Sequence, residues 1–276
     1  MPSWPSPARP RLGAAECRSV QSVMTRVVPW VLLGALILTQ ICYPLTGGGL
    51  RAALTVLTVV LGYLLSVSHA LLTRGVRTAA ALIATATLGG FAVEAIGVAT
   101  GFPFGTYDYS GQLGPKLLGV PLIIPLAWTW MAWPAWLAAL RLARSTPARI
   151  ALAAAGLAAW DLFLDPQMVA EGYWTWDSPT PALPGVPGIP IGNYLGWLGF
   201  AVLLMAGLAA AAGPRAAVAG PGDTPMLALW WWTYASSVLA HAVFLGLPAS
   251  ALWGGVLMGA IVLPLAVRRV RRPVPA

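Results

Sequence analysis

The chain has 276 residues, of which 58% are hydrophobic and 9% are charged, and its formal net charge is +8. Soluble domains carry about 25% charged residues, and a soluble fold of this composition would expose large apolar patches. The composition therefore excludes an ordinary soluble domain and indicates an integral membrane protein.

Eight apolar runs approach the ~20 residues that a helix needs to cross a bilayer. In chain order they occupy residues 27–45, 50–72, 78–99, 120–140, 149–168, 190–212, 225–246 and 250–267. We predict an all-α fold, a polytopic membrane helical bundle of about eight transmembrane helices. Its parts are a disordered basic N-terminal segment (1–26), a single transmembrane domain (27–267) and a basic cytoplasmic tail (268–276).

Basic residues are distributed unevenly between the two sides of this predicted bundle. One side holds Arg9, Arg11, Arg18, Arg26, Arg74, Arg77, Arg141, Arg144, Arg149, Arg215, Arg268, Arg269, Arg271 and Arg272. Only Arg51 and Lys116 fall on the other side. The positive-inside rule then places both termini in the cytoplasm of a multi-pass protein of the cell membrane. The basic charge reports topology, so no nucleic-acid partner is predicted.

Six of the eight acidic residues fall on the side that the arginines avoid. These are Glu94, Asp108, Asp161, Asp165, Glu171 and Asp177. Glu94 lies inside the third run, where a carboxylate costs a few kcal/mol and usually faces an interior cavity. The alternative for Glu94 is a snorkelling or interhelical hydrogen-bonding acid.

Asp161 and Asp165 are four residues apart and therefore share one helix face. Two neighbouring carboxyl groups tend to leave one neutral beside an ionised partner, which suits general acid–base chemistry. For Asp165, which precedes Pro166, an alternative is a helix-end residue at a turn. That alternative is weaker for Asp161, one turn deeper in the run.

The two longest outer loops share a pattern that indicates a weak internal repeat. Eleven residues after Glu94 comes Gly105, followed by Tyr107 and Tyr109. Eleven residues after Asp161 comes Gly172, followed by Trp174 and Trp176. Each loop ends in a Gly-x-Pro before the next helix. Both halves run outward, so the repeat is parallel and predicts a site at the interface between the halves.

Aromatic residues have two interpretations in this sequence. We predict that Tyr107, Tyr109, Trp174 and Trp176 bind substrate, because aromatic faces stabilise positive charge and these lie beside the acids. For most of the 14 tryptophans we predict an interfacial belt instead.

Other polar residues supply further candidates for the site. Asn193, at the start of the sixth run, and His241, near the outer end of the seventh, are candidate substrate-lining groups. His241 has the alternative role of an interhelical hydrogen bonder. His69 is predicted to be structural. Two cysteines, Cys17 and Cys42, are too few for a disulfide framework or a metal site.

Three segments together resemble a known family: GFPFGTYDYSGQLG (101–114), WDLFLDPQMVAEGYWTW (160–176) and GIPIGNYLGW (188–197). They are similar to the integral membrane carotenoid-biosynthesis family of bisanhydrobacterioruberin hydratases and carotenoid 1′-hydratases (γ-carotene 1′-hydroxylases). The resemblance implies an enzyme, a hydratase (hydro-lyase) that adds water to the terminal double bond of an acyclic (psi-end) carotenoid, giving a tertiary alcohol. Its partners would be the lipophilic carotenoid and membrane lipid.

The residues suit the chemistry that the resemblance implies. Hydration of an unactivated alkene needs a neutral carboxylic acid, a carboxylate to take a proton from water, and a dry aromatic pocket. We predict Glu94, Asp161 and Asp165 as catalytic residues, with Glu94 and Asp161 as the acid–base pair in an order left open and Asp165 in a supporting role. Asp108 is predicted as a supporting group that binds substrate. No cofactor and no metal is predicted.

Two rival functions remain for the sequence. Asp161-x-x-x-Asp165 resembles half of the Asp-rich diphosphate site of an intramembrane prenyltransferase, although a second acidic cluster is missing and the basic residues lie on the other side. A membrane lipid or carotenoid transporter is compatible with the parallel repeat and with helices interrupted by Gly and Pro.

Overall fold

The computed structural model describes the backbone of residues 14–270 and the side chains of residues 23–266. Within this range the chain forms eight helices, numbered here in chain order. They are α1 (Ala14–Cys42), α2 (Gly48–Arg74), α3 (Val76–Thr100), α4 (Ile124–Leu142), α5 (Thr146–Ala170), α6 (Ile191–Ala211), α7 (Thr224–Leu239) and α8 (Pro248–Val270). A π-helical turn, Ile83–Leu88, lies within α3, and another, Ala240–Phe244, extends α7.

The prediction of an all-α polytopic membrane bundle is confirmed, and each helix occupies one of the eight predicted runs. Among the described helices, six are long and apolar enough to cross a membrane by length and composition. These are Val23–Leu45, Gly48–Arg74, Val76–Thr100, Thr146–Ala170, Ile191–Ala211 and Pro248–Ala266. Helices α4 and α7 fall outside this set, and both are rich in tryptophan.

The helix boundaries differ from the predicted runs at three places. Helix α1 begins at Ala14, inside the segment predicted to be disordered, because residues 14–22 are mostly good helix formers. Helix α5 continues through Pro166 to Ala170, so Asp165 is not a helix-end residue. Residues 268–270 of the predicted tail belong to α8. Residues 1–13 and 271–276 of the two predicted terminal segments lie outside the described residues.

Helix α4 lies at the centre of the bundle. It packs against α2, α3, α5, α7 and α8, and 16 of its 19 residues are buried. Because these neighbours cover nearly all of its residues, α4 contacts protein rather than lipid. Its neighbour α5 packs against α4, α6 and α8. These two helices bring the two repeated halves into contact.

Most of the described tryptophans on helices fill this interior, so the predicted interfacial belt is wrong for them. The buried ones are Trp128, Trp130, Trp133, Trp136, Trp160, Trp197 and Trp230. Small residues on facing helices leave the space that the indole rings occupy. At Gly62 of α2, a Cβ atom would lie 2.4 Å from Cγ of Trp130. The tryptophans therefore pack helix against helix instead of marking the membrane surface.

A buried ion-pair cluster holds together the end of the bundle where the arginines collect. Arg74 of α2 donates to Oδ1 of Asp223 at 2.5 Å, and Arg141 of α4 lies 3.6 Å from Oδ2 of the same residue. Asp223 is fully buried, and its Oδ2 also accepts from the N–H of Gly220 at 2.7 Å. The cluster ties α2 and α4 to the segment between α6 and α7, which contains short 3₁₀ turns at Pro214–Ala217 and Pro221–Asp223.

His69 belongs to this same end, in agreement with its predicted structural role. Its Nδ1 accepts from Nε1 of Trp133 at 2.9 Å, so its Nε2 carries the proton. That Nε2 donates to the carbonyl oxygen of Gly222 at 2.9 Å. His69 thus links α2, α4 and the segment before α7.

The opposite end of the bundle carries the two long loops and their short strands. The strands are β1 (Tyr107–Tyr109), β2 (Lys116–Leu117), β3 (Val120–Pro121), β4 (Trp174–Trp176), β5 (Ala182–Leu183) and β6 (Val186–Pro190). They pair antiparallel as β1 with β4, β2 with β3 and β5 with β6. A 3₁₀ turn, Tyr43–Leu45, joins α1 to α2 at this end, and Arg51 of α2 pairs with Glu171 beside it.

Candidate active site

Glu94 is enclosed by two phenol groups of its own loop. The residue is 2% exposed, and its Oε2 accepts from the hydroxyls of Tyr107 at 2.6 Å and Tyr109 at 2.7 Å. The two tyrosines lie two apart on β1 and so face the same side. Burial raises the pKa of both phenols above the usual range of tyrosine, and the neighbouring Glu94 carboxylate raises it further. Both hydroxyls therefore remain hydrogen-bond donors at neutral pH. Because its carboxylate is buried, Glu94 is not a snorkelling acid that reaches the membrane surface.

Asp161 and Asp165 form a pair of buried carboxyl groups on one face of α5. They are 1% and 3% exposed. Asn193, in the first turn of α6, directs its Nδ2 to both carboxyl groups, at 3.4 Å from Oδ2 of Asp161 and in a shorter contact with Oδ2 of Asp165. Among the described residues, no group donates a hydrogen bond to Oδ1 of Asp161. The two carboxyl groups are thus linked through one amide donor.

The β1–β4 ribbon joins the two repeated loops directly above these acids. Tyr107 lies opposite Trp176, and Tyr109 lies opposite Trp174. The ring centroids of these pairs are 5.5 Å apart in each case. The two loops therefore meet through their corresponding aromatic residues, at the interface that the repeat predicts. The glycines before both strands, Gly105 and Gly172, have φ of +87° and +67°, a conformation that favours glycine.

All three carboxyl groups line one small cavity of about 50 Å³. A water molecule needs about 10–15 Å³ of such space, so the cavity has room for a few. Six aromatic side chains complete the lining beside the acids: Tyr107, Tyr109, Trp128, Trp174, Trp176 and Trp197. Trp128 and Trp197 stack with centroids 3.6 Å apart. The site thus combines buried carboxyl groups with a wall of aromatic faces.

Comparison with known proteins assigns the chain to a family. The family model described as "carotenoid biosynthesis protein" matches residues 54–263, which is more than half of the chain. The chain belongs to this family. The resemblance predicted from the three sequence segments is therefore confirmed, and the matched range contains every residue of the carboxyl group cavity.

A relative with a named activity matches part of the chain. Over 127 residues the chain is 39% identical to the bisanhydrobacterioruberin hydratase of Haloarcula japonica. The match covers 44% of this chain and 41% of that protein, so less than half of the relative's length is spanned. No solved structure matches the chain.

Two residues predicted for the site of this carotenoid biosynthesis protein lie away from the cavity. Asp108 sits between Tyr107 and Tyr109 on β1, and strand alternation turns it to the exposed face. His241 is buried, but its Nδ1 lies 2.9 Å from Oγ of Ser250 and its Nε2 lies 3.2 Å from Oε1 of Gln167. The alternative prediction for His241, an interhelical hydrogen bonder, matches these contacts. The other predicted residues, Tyr107, Tyr109, Trp174, Trp176 and Asn193, line the cavity.

Several residues that line the cavity are not among the residues predicted from the sequence. Trp197 lies in the GIPIGNYLGW segment, so its position near Asn193 was available from that motif. Trp128 has no comparable signal, because it is one of four tryptophans in α4. Thr55 and Val59 of α2 come from a helix with no acid. Only the packing of α2 against α4 brings them to the site.

Proposed function

We propose that the protein is a hydratase of carotenoid biosynthesis, which adds water to the terminal double bond of an acyclic carotenoid end and produces a tertiary alcohol. One observation carries the proposal: three buried carboxyl groups with two different hydrogen-bond environments line one water-sized cavity. The family and the partial match to a hydratase support the same reaction class.

The reaction adds one proton and one hydroxyl group across a carbon–carbon double bond. A carboxylic acid protonates the less substituted alkene carbon, which leaves a tertiary carbocation. The oxygen of a water molecule bonds to that carbon, and a carboxylate takes the proton that the water loses. The net change is the addition of one water to each modified end. Aromatic faces around the cavity stabilise the cation, and the buried site keeps other nucleophiles out.

The hydrogen bonds favour one division of roles among the three carboxyl groups. Asp161 and Asp165 share the amide of Asn193, and two adjacent carboxyl groups hold a proton between them more readily than they ionise together. Glu94 accepts two phenol hydrogen bonds, which stabilise a carboxylate. We therefore assign the acid to the Asp161–Asp165 pair and the base to Glu94.

Expression in cells that accumulate an acyclic carotenoid, followed by mass analysis of the pigments, tests the proposal. The wild-type protein should add the mass of one water per modified end. Glu94→Gln, Asp161→Asn and Asp165→Asn should each lower the product by about 100-fold or more, because each removes a proton-transfer group. Asp177→Asn, which changes an exposed acid of the outer loop, is the matched control and should retain activity.

The same experiment separates the hydratase from its rivals. A transporter would leave the mass of every pigment unchanged, and a prenyltransferase would add an isoprenoid mass instead of water. Unchanged pigments from several acyclic substrates, with the protein present in the membrane, would reject the hydratase.

A further inference from the structure

A second, larger cavity of about 450 Å³ lies beside the carboxyl groups, between α1, α2, α5 and α7. Its volume is within the range of sites that bind small organic molecules, about 300–1,000 Å³. The lining is mostly apolar and aromatic and includes Trp130, Trp160, Phe163 and Trp232. No charged side chain is among the described residues that line it. The cavity therefore suits a hydrocarbon and, among the described residues, offers no cationic partner to a phosphate or a diphosphate.

The rim of this cavity faces the lipid. Four rim residues at the outer ends of α1 and α7 are strongly exposed: Ile41 at 48%, Leu45 at 72%, Leu239 at 55% and Phe244 at 53%. In a membrane bundle, exposed apolar side chains on helix surfaces contact acyl chains. A molecule dissolved in the bilayer can therefore reach the cavity sideways, without crossing the polar surface.

Four residues line both cavities and form the boundary between them. Thr55 and Val59 lie one turn apart on α2, and Leu164 and Met168 lie one turn apart on α5. Residues four apart share a helix face, so the boundary is two facing pairs of side chains. Leu164 and Asp165 are adjacent, and Met168 is one turn from Asp165. The boundary is thus immediately next to the acids.

We propose that the larger cavity binds the polyene chain of the carotenoid, and that the terminal double bond reaches the carboxyl groups between Thr55–Val59 and Leu164–Met168. This inference rests on the proposed function, because it supplies the binding site for that substrate. The small cavity holds only a few water-sized groups, whereas the body of a long hydrocarbon requires a second, apolar space. The larger cavity shares these four lining residues with the site, and its rim carries exposed apolar side chains.

The space between Thr55–Val59 and Leu164–Met168 is called the passage here. Substitutions that fill the passage test the proposal without changing the acids. Leu164→Trp and the milder Val59→Phe should each lower hydrated product at least tenfold. The amount of carotenoid that the purified protein retains in lipid nanodiscs should fall by a similar factor. Leu57→Trp adds the same bulk on α2 at a residue that is 45% exposed to lipid, and should change neither quantity. Variants are compared only where their melting temperature matches the wild type.

Binding and turnover together separate this inference from the hydratase proposal. If the wild type binds carotenoid but forms no hydrated product, while Leu164→Trp and Val59→Phe abolish binding, then the passage stands and the hydratase is rejected. If both filled variants bind and convert carotenoid as the wild type does, the passage is rejected. Wild-type protein that retains phospholipid but no carotenoid would also overturn it, because the cavity would then hold an acyl chain.

Discussion

Glu94 and the Asp161–Asp165 pair meet the same cavity with different hydrogen-bond partners. Hydroxyl donors surround Glu94, whereas one amide serves both aspartates. A hydrogen bond to a charged group is worth about 1.5–3 kcal/mol, so the two hydroxyl donors favour an ionised Glu94. These hydrogen bonds support the proposed division of acid and base roles.

Deuterium exchange can test this assignment. In D₂O, Glu94→Gln keeps the proposed acid but lacks the base, so the cation should form and lose a proton again instead of capturing water. Unreacted carotenoid should then gain deuterium at its end, while product falls about 100-fold. Asp161→Asn should show neither deuterium in the substrate nor product. Mass spectrometry of the recovered substrate gives both results, and exchange by Asp161→Asn but not by Glu94→Gln would reverse the roles.

The sequence predicted the three carboxyl groups of the cavity because an acid inside an apolar run is costly to insert. Asp108 did not join them, because a residue between two inward-facing tyrosines must point outward on a strand. The sequence contains no clear sign of that strand, which is three residues long and formed by pairing with a segment 67 residues away. His241 was misplaced because depth along a helix does not determine which face it occupies.

At the scale of elements, the β1–β4 ribbon orients the aromatic wall of the site. Its backbone hydrogen bonds continue beyond the strands, from the N–H of Ser110 to the oxygen of Tyr173 at 2.7 Å, and from the N–H of Asp177 to the oxygen of Thr106 at 3.0 Å. The side chains that face the cavity alternate with exposed Asp108 and Thr175. The ribbon can therefore be perturbed from its exposed side.

Thr175→Pro should uncouple the two loops. Proline removes a backbone donor from the centre of β4, a loss of about 1 kcal/mol for one hydrogen bond, with added distortion of the strand. We expect turnover to fall about tenfold while the bundle stays folded, because Tyr107, Tyr109, Trp174 and Trp176 lose their alignment. Thr175→Val retains the N–H and should behave as the wild type. Turnover and melting temperature are measured for both, and an active Thr175→Pro would show that the ribbon is dispensable.

Hydropathy predicted the helices well where they face lipid and less well where they face protein. Helix α5 extends past Pro166, although a proline commonly marks a helix end. The tryptophans of α4 looked like membrane-interface residues, but tertiary packing places them in the interior. Which helix lies at the centre depends on contacts between helices, and those cannot be obtained from the composition of one helix.

At the scale of the whole molecule, the two ends of the bundle differ in chemistry. One end binds Asp223 between two arginines, and the other carries the carboxyl group cavity and its loops. This division agrees with the distribution of basic residues along the sequence. The orientation with both termini in the cytoplasm stays a prediction, and it would place the site in the half of the membrane away from the cytoplasm.

Cysteine labelling can test the orientation. In a background with Cys17→Ala and Cys42→Ala, Ser178→Cys places a thiol in the exposed outer loop after β4, and a membrane-impermeant maleimide should label it in intact cells. The matched variant, Ser145→Cys in the same background, carries its thiol in the exposed turn before α5 and should react only after the membrane is opened. The reverse pattern would invert the topology.

The partners of the buried carboxyl groups also have an order along the chain. Glu94 is followed 13 and 15 residues later by the tyrosines that donate to it, and the two aspartates are followed 32 and 28 residues later by Asn193. During synthesis each acid therefore precedes its hydrogen-bond donors, and the acid and its donors belong to the same repeated half. The hydroxyl groups that donate to Glu94 both belong to the first half. The growing chain can thus place each acid in the bilayer with its donors following directly, and the cavity closes only when synthesis reaches the second half.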